Sequence, residues 1–167
     1  QMLTRQVLMG HLAHKQFESS VLTPLRRLLS SPTRKEIEQA VQDLGFFRDV
    51  GAIPQLLHLL HRERESLGDH VAEALMQVTL QDLGDNPVAW TKWWRKNKHR
   101  CRMDWLLGGL SSKDRDVRYL AHQDLQFLSG DDFGYDCDEQ IGSRKAAIKL
   151  YRSWWKEKKE DIIIANL

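Results

Sequence analysis

The sequence is poor in the features that anchor or cross-link a protein. It contains no apolar run of the roughly 20 residues that cross a bilayer, so it predicts no membrane span. Its two cysteines, Cys101 and Cys137, have no Cys or His at metal-ligand spacing. We expect two free thiols in a reducing, cytoplasmic compartment, with a single disulfide left open. A formal net charge of +2 does not by itself indicate a nucleic-acid or membrane partner.

The signatures of common enzymes are also missing. The chain has no glycine-rich phosphate loop, no nucleophile elbow and no His-Glu-x-x-His motif, and we therefore predict no catalysis, no cofactor and no metal. His58, His61 and Glu65 share a helical spacing, as do His11 and His14, but neither set has further ligands nearby. The acidic residues near position 135 do not follow the calcium-loop pattern, so turns and helix caps are the expected roles of Asp131, Asp132, Asp136, Asp138 and Glu139.

Apolar residues recur at helical spacing almost throughout, which predicts an all-α chain of about nine helices. Thr33 and Glu36 have the form of a capping box, opening a helix that Gly45 is expected to end. Asn86 followed by proline predicts another helix start, and Ser143 is a candidate cap for the last helix.

The chain also repeats itself. Segments 21–29, 52–60 and 102–110 align without gaps, and each precedes a second helix, at 36–44, 69–80 and 114–128. The second and third copies match at an offset of 50, with 78–84 corresponding to 128–134. A third helix follows in both copies, with Trp90, Trp93 and Trp94 in one and Tyr151, Trp154 and Trp155 in the other, after an insertion of about 11 residues near Cys137.

These motifs resemble the HEAT-repeat family. Segments 37–45 and 50–57 are similar to the join between two HEAT repeats, and segment 128–136 before Trp154 and Trp155 resembles a bacterial variant with a Leu-Thr-Gly-x-x-Phe-Gly-Tyr-Asp loop and a Trp-x-x-Trp-Trp helix. The resemblance covers roughly residues 20–158 and implies a short α-solenoid, an α-α superhelix. It implies one domain over 1–167, with repeats at about 21–50, 51–100 and 101–159, a capping helix at 1–20 and a tail at 160–167. Because the chain begins at Gln1, we also expect that it is either a processed chain or part of a longer protein.

The aromatic third helices are expected to be structural. At about 100° per residue, Trp90, Trp93 and Trp94 fall within an arc of about 100°, the width of a core-facing stripe. Phe133 and Leu83 are expected to enter the core beside turns made by Gly134 and Gly84.

Positive charge is the one distinctive feature of the sequence that the packing of helices does not require. Six Lys or Arg occupy 90–102 without an acid, and seven occupy 144–159 with one opposing acid. Because these are equivalent helices, their basic faces could form one stripe that binds a partner, although a solvated outer face is the alternative. The predicted partner-binding residues are Lys92, Arg95, Lys96, Lys98, Arg100, Arg102, Lys149, Arg152 and Lys156.

The leading hypothesis is therefore a non-catalytic scaffold or adaptor with a protein partner. The alternative is a nucleic-acid-binding or DNA-processing protein, since some HEAT-like bacterial proteins are alkylpurine glycosylases that use Trp, Asp and Arg in a basic cleft. Arg102, Asp104 and Trp105 are the local candidates for that role. HEAT-like bilin lyases are a third possibility, which is suggested by the fold alone.

Overall fold

The computed structural model of the protein describes the backbone of residues 13–165 and the side chains of residues 13–161. Within that range the chain forms seven helices and no strand, which confirms the all-α prediction. Helix α1 covers 13–28 and includes a π-helical segment, Glu18–Leu22. The others are α2 (Arg34–Phe46), α3 (Ile53–Thr79), α4 (Pro87–Asn97), α5 (Arg102–Gly109), α6 (Arg115–Ser129) and α7 (Ile141–Ala165).

The described helices are fewer and longer than the predicted nine. Segments 52–60 and 69–80 belong to one helix, α3, which bends at Glu63, where φ is −121° and ψ is 27°. The intervening residues are mostly good helix formers, so one distorted residue redirects the axis without ending the helix. Helix α7 likewise continues to Ala165, so most of the predicted tail is helical. Of the predicted capping helix at 1–20, only residues 13–20 are described, and they form the first part of α1.

Of the three predicted helix starts, one has the expected cap and two do not. Asn86 caps α4 as predicted, since its side-chain oxygen accepts from the Val88 and Ala89 amides at 3.1 Å each. Thr33 precedes α2 without a side-chain cap bond, and the hydroxyl of Ser31 contacts Glu36 instead. The cap at Ser143 was wrong, because α7 begins at Ile141.

Gly45 does not end its helix, contrary to the prediction. Helix α2 continues to Phe46, and the left-handed residue beyond it is Arg48, with a φ of 56°. A Cβ atom at position 45 would lie 3.0 Å from the Ala74 Cα atom. Glycine is needed there because α2 and α3 approach closely.

Gly109 occupies a similar close approach between helices. A Cβ atom there would lie 2.8 Å from the Ala121 Cβ atom and 3.2 Å from the Leu80 Cβ atom, whereas a Cβ atom at the neighbouring Gly108 would meet nothing within 4 Å. We therefore expect Gly109→Ala to lower the free energy of unfolding by about 1–3 kcal/mol through overpacking. Gly108→Ala is the matched control and should leave it unchanged or raise it by up to about 1 kcal/mol. Urea unfolding followed by circular dichroism measures both, and equal effects would contradict the close-packing explanation.

The buried side chains form two core clusters. The first lies mainly between α2 and α3 and includes Trp90 of α4, while the second joins α5, α6 and α7. Helix α5 contributes to both, because Trp105 lies in the first cluster and Leu106 in the second. The main helix contacts are α1 with α2, α2 with α3, α3 with α4, α5 and α6, α5 with α6, and α5 with α7.

The offset of 50 between copies is reproduced in the backbone. Helices α3 and α6 are followed by Leu80 and Gly130, both left-handed, with φ of 57° and 74°. Four residues later the chain turns through Gly84 and Gly134, with φ of 55° and 69°. The preceding carboxylates bond these turns in the same way: Asp82 accepts from the Gly84 amide at 3.1 Å, and Asp132 accepts from the Gly134 amide at 2.7 Å. The sequence repeat is thus also a structural repeat.

Candidate interaction surfaces

The tryptophan-rich helix α4 faces the core, as predicted. Trp90 is 1% exposed, and its Nε1 donates to the Gly84 carbonyl oxygen at 2.7 Å. Trp93 and Trp94 are half-buried, and their ring centroids lie 5.1 and 6.4 Å from that of Trp105. Tyr151, the counterpart of Trp90, is fully buried, and its hydroxyl donates to the Asp131 carbonyl oxygen at 3.1 Å. These aromatic residues hold each third helix on its repeat.

The three residues considered for a glycosylase-like site do not share an open cleft. Trp105 is buried against Trp93 and Trp94, while Asp104 is exposed on the surface of α5. Arg102 turns away to donate from Nε to the Val78 carbonyl oxygen at 2.9 Å. Their contacts are therefore those of helix packing rather than of a base-binding pocket.

Arg102 lies apart from the exposed basic surface with which it was grouped. Its guanidinium donates to the Asp124 carboxylate at 2.6 Å, and burial lowers its pKa although Asp124 acts in the opposite direction. Arg48 donates to both oxygens of the same carboxylate, at 3.0 Å to the Oδ2 atom that Arg102 also contacts and at 3.4 Å to Oδ1. Asp124 thus ties α6 to the end of α2 and to the start of α5, because one carboxylate is shared by two guanidinium groups.

The acidic loop before α7 uses its carboxylates for turns, as expected. Asp131 accepts from the Phe133 amide at 2.7 Å, and Asp136 accepts from the Asp138 amide at 2.8 Å. The side chains of Asp136, Cys137 and Asp138 bring potential ligand atoms within 4.8 Å of one another. However, both oxygens of Asp138 accept from Arg115, at 2.6 and 2.8 Å, and this guanidinium lowers the pKa of the carboxyl. The cluster is therefore an arginine-bound turn.

The histidine set on α3 is interrupted by the bend of that helix. Glu63 lies between His61 and Glu65, so the expected spacing of a straight helix does not hold across it. The His61 ring contacts the Thr91 hydroxyl at 3.0 Å, and His58 is exposed. Of the other histidine pair, His14 is exposed and His11 lies outside the described residues. Neither cysteine of the described range forms a disulfide: Cys101 is exposed and Cys137 is buried.

The basic residues of the two runs, 90–102 and 144–159, are exposed apart from Arg102 and Arg144. On α4 and the loop after it these are Lys92, Arg95, Lys96, Lys98 and Arg100, and on α7 they include Lys149, Arg152 and Lys156. Arg144 is buried and donates toward the Leu110 carbonyl oxygen at 3.4 Å. Helix α4 packs on α3, whereas α7 packs on α5 and the second cluster. The two basic faces therefore belong to separate packing units, and their side-by-side placement stays a prediction.

A groove between α2 and α3 was not predicted from the sequence. It has a volume of about 440 Å³ and is lined by Gln39, Gln42, Asp43, Phe46, Arg48, His70, Glu73, Ala74 and Gln77. Phe46 is 71% exposed at its edge, which is unusual for a phenylalanine. The sequence signal for this site was weak, because Phe46 directly follows Gly45, where the helix was expected to end.

Another exposed aromatic residue lies on α6, one turn after the carboxylate that pairs with Arg48. This arginine lines the groove and pairs with Asp124 at 3.0 Å. Phe127 follows Asp124 by one turn of α6 and is 87% exposed. The second helices of the repeats thus present phenylalanines, amides and carboxylates to solvent.

Comparison of the chain with models of known families, with curated proteins and with solved structures found no match. The function of this chain is therefore inferred from its own geometry. Among the described residues, no helix combines the length and apolar character needed to cross a membrane.

Proposed function

We propose that the protein is a non-catalytic interaction scaffold, built as a short α-solenoid of HEAT-like repeats. The observation that carries this proposal is the structural repeat at an offset of 50. Its distinctive residues, among them Trp90, Tyr151 and Gly134, hold helices and turns in place. Because the residues that recur between the repeats hold helices and turns in place, the exposed surface of the repeats is available for recognition.

The order of helix packing supports a solenoid. The second helices are α2, the later part of α3, and α6, and α3 contacts both of the others. Helix α5 contacts α3 in the preceding unit and α6 in its own unit. Each unit thus contacts its neighbour, which is the arrangement that defines a solenoid.

The groove between α2 and α3 gives the scaffold its most suitable protein-binding surface. Phe46 offers an exposed aromatic anchor, and aromatic residues are enriched among the interface positions that dominate binding energy. Asp43 and Glu73 place carboxylates in the lining, while the positive charge of Arg48 is already engaged by Asp124. The complementary partner is a protein segment that presents an apolar side chain beside Lys or Arg.

Selection of displayed peptides on the full chain tests this proposal. We expect enrichment of peptides with an apolar residue next to Lys or Arg, and we expect Phe46→Ala to weaken their binding by about 10-fold or more. The control is Val88→Ala, since Val88 has a similar exposure, 70%, and lies on α4 outside the groove. Fluorescence anisotropy with a selected peptide provides the affinities. Equal binding by Phe46→Ala and the parent protein, or turnover of a small substrate in place of partner binding, would refute the proposal.

A further inference from the structure

Helix α7 carries a straight line of positive charge that the scaffold does not require. Its members are exposed cations at alternating spacings of four and three: Lys145, Lys149, Arg152, Lys156 and Lys159. At about 100° per residue they fall within an arc of about 80°, and at about 1.5 Å per residue they extend over about 21 Å. We call these five residues the α7 basic line.

The α7 basic line is separate from the buried face of its helix. Ala147, Ile148 and Tyr151 are buried in the second core cluster, with Trp154 and Trp155 packed beside them. No ion pair within residues 13–161 involves a member of the line, and the pair on this helix joins Lys158 to Glu157 at 3.8 Å. The five charges are therefore available to a partner.

Helix geometry does not account for these charges. Cations near the end of a helix are stabilised by its dipole, and this explains Arg95 and Lys96 in the last turn of α4. The dipole effect fades within the first and last turns, whereas the α7 basic line extends through the body of a helix that ends at Ala165. The cations of the α7 basic line therefore need a different explanation from the cations at the end of α4.

The residue types of the α7 basic line favour a ligand with many phosphate groups over a protein surface as its partner. Protein interfaces are depleted of lysine and have an apolar centre, but four of the five members are lysine, and between Lys145 and Lys159 no exposed apolar side chain lies within the arc. Ile141, which is 57% exposed, lies at the edge of the arc one turn before Lys145, at the start of the helix and not at the centre of the line. Leu150, which is half-exposed, lies about 140° from Lys145 around the helix. Lysine instead suits phosphate as a mobile point charge on a long stem.

The α7 basic line contains no aromatic residue, and this argues against single-stranded nucleic acid as its ligand. Single-stranded nucleic acid is bound by aromatic side chains on which bases stack, together with a basic groove. The tryptophans of α7 are packed against the second cluster instead. From these observations we propose that the α7 basic line binds the phosphate backbone of double-stranded nucleic acid without reading its sequence. This site is distinct from the groove between α2 and α3, so each proposal can fail alone.

Duplex binding by the full chain tests this inference. Labelled duplexes of about 30 base pairs and two unrelated sequences are titrated by fluorescence anisotropy from about 50 to 200 mM salt. We expect similar affinity for both sequences, and affinity that falls steeply with salt because each phosphate contact contributes about −0.9 to the slope of log K against log salt. Lys145→Gln, Lys149→Gln and Lys156→Gln combined should reduce the magnitude of that slope by about 3 and the low-salt affinity by about 10-fold or more.

The matched control removes the same charge elsewhere. Lys15→Gln, Lys35→Gln and Lys113→Gln combined change three exposed lysines outside α7 and should leave the slope nearly unchanged. Circular dichroism verifies that both triple variants retain the helical content of the parent protein. The inference is overturned by absence of duplex binding at low salt, by equal losses in the two variants, or by binding to anionic lipid vesicles but not to duplex. It is also overturned if Lys92→Gln, Lys96→Gln and Lys98→Gln combined abolish binding while the α7 variant does not.

Discussion

Trp90→Ala should lower the free energy of unfolding by about 3–5 kcal/mol. Trp90 is almost fully buried, and its ring meets that of Trp93 edge-on at a centroid distance of 6.1 Å. The substitution removes the largest fully buried side chain of the first cluster and leaves a cavity, and it also leaves the Gly84 carbonyl without its donor at 2.7 Å. Because typical domains have about 5–15 kcal/mol of stability, much of the total would be lost.

Urea unfolding followed by far-ultraviolet circular dichroism measures this loss independently of tryptophan fluorescence. Trp90→Phe should cost less than Trp90→Ala, because the ring volume is partly retained while the indole donor is removed. Tyr151→Ala is the counterpart in the next repeat and should cost a similar amount, since Tyr151 is equally buried. A loss below about 1 kcal/mol for Trp90→Ala would contradict the structural role of the aromatic third helix.

Asp124→Asn should lower the free energy of unfolding by about 3 kcal/mol. The carboxylate accepts from Arg102 at 2.6 Å and from Arg48 at 3.0 Å, and all three side chains are largely shielded from solvent. Asparagine keeps the shape but removes the charge, and its amide donors would face guanidinium donors. Both arginines would then be left without a compensating anion in a poorly solvated place.

The exposed carboxylate Asp69 provides the control, because Asp69→Asn makes the same chemical change on the surface of α3. That variant should change stability by less than about 0.5 kcal/mol. Combining Asp124→Asn with Arg48→Gln should cost less than the sum of the two single variants, because one of the unpaired guanidinium groups is removed. Strict additivity in this double-mutant cycle would show that the two groups do not interact.

The caps and turns that recur along the chain were predictable from the sequence because their signals are local. The cap at Asn86 and the left-handed turns at Gly84 and Gly134 depend on residues within a few positions of each other. The burial of Trp90 followed from the helical spacing of the aromatic residues. Comparing the two copies added information, because a residue pattern that recurs at a constant offset implies the same local fold twice.

The exposure of individual charges was decided by the tertiary structure. Arg102 and Lys98 belong to the same basic run, yet one is held by Asp124 and Val78 while the other faces solvent. Gly45 has the sequence appearance of a helix end, but the approach of Ala74 gives it a packing role. The groove at Phe46 likewise exists only because α2 lies beside α3.

The physical reason for this division is the range of the interactions. Capping, helical periodicity and backbone conformation are governed by neighbours within about one turn, so a sequence carries them directly. Desolvation and ion pairing depend on atoms that folding brings from far along the chain, such as Asp124 beside Arg48. The sequence by itself therefore determined the all-α class, the recurring glycine turns and the burial of Trp90, while the packing of α2, α3, α5 and α6 decided which residues face solvent.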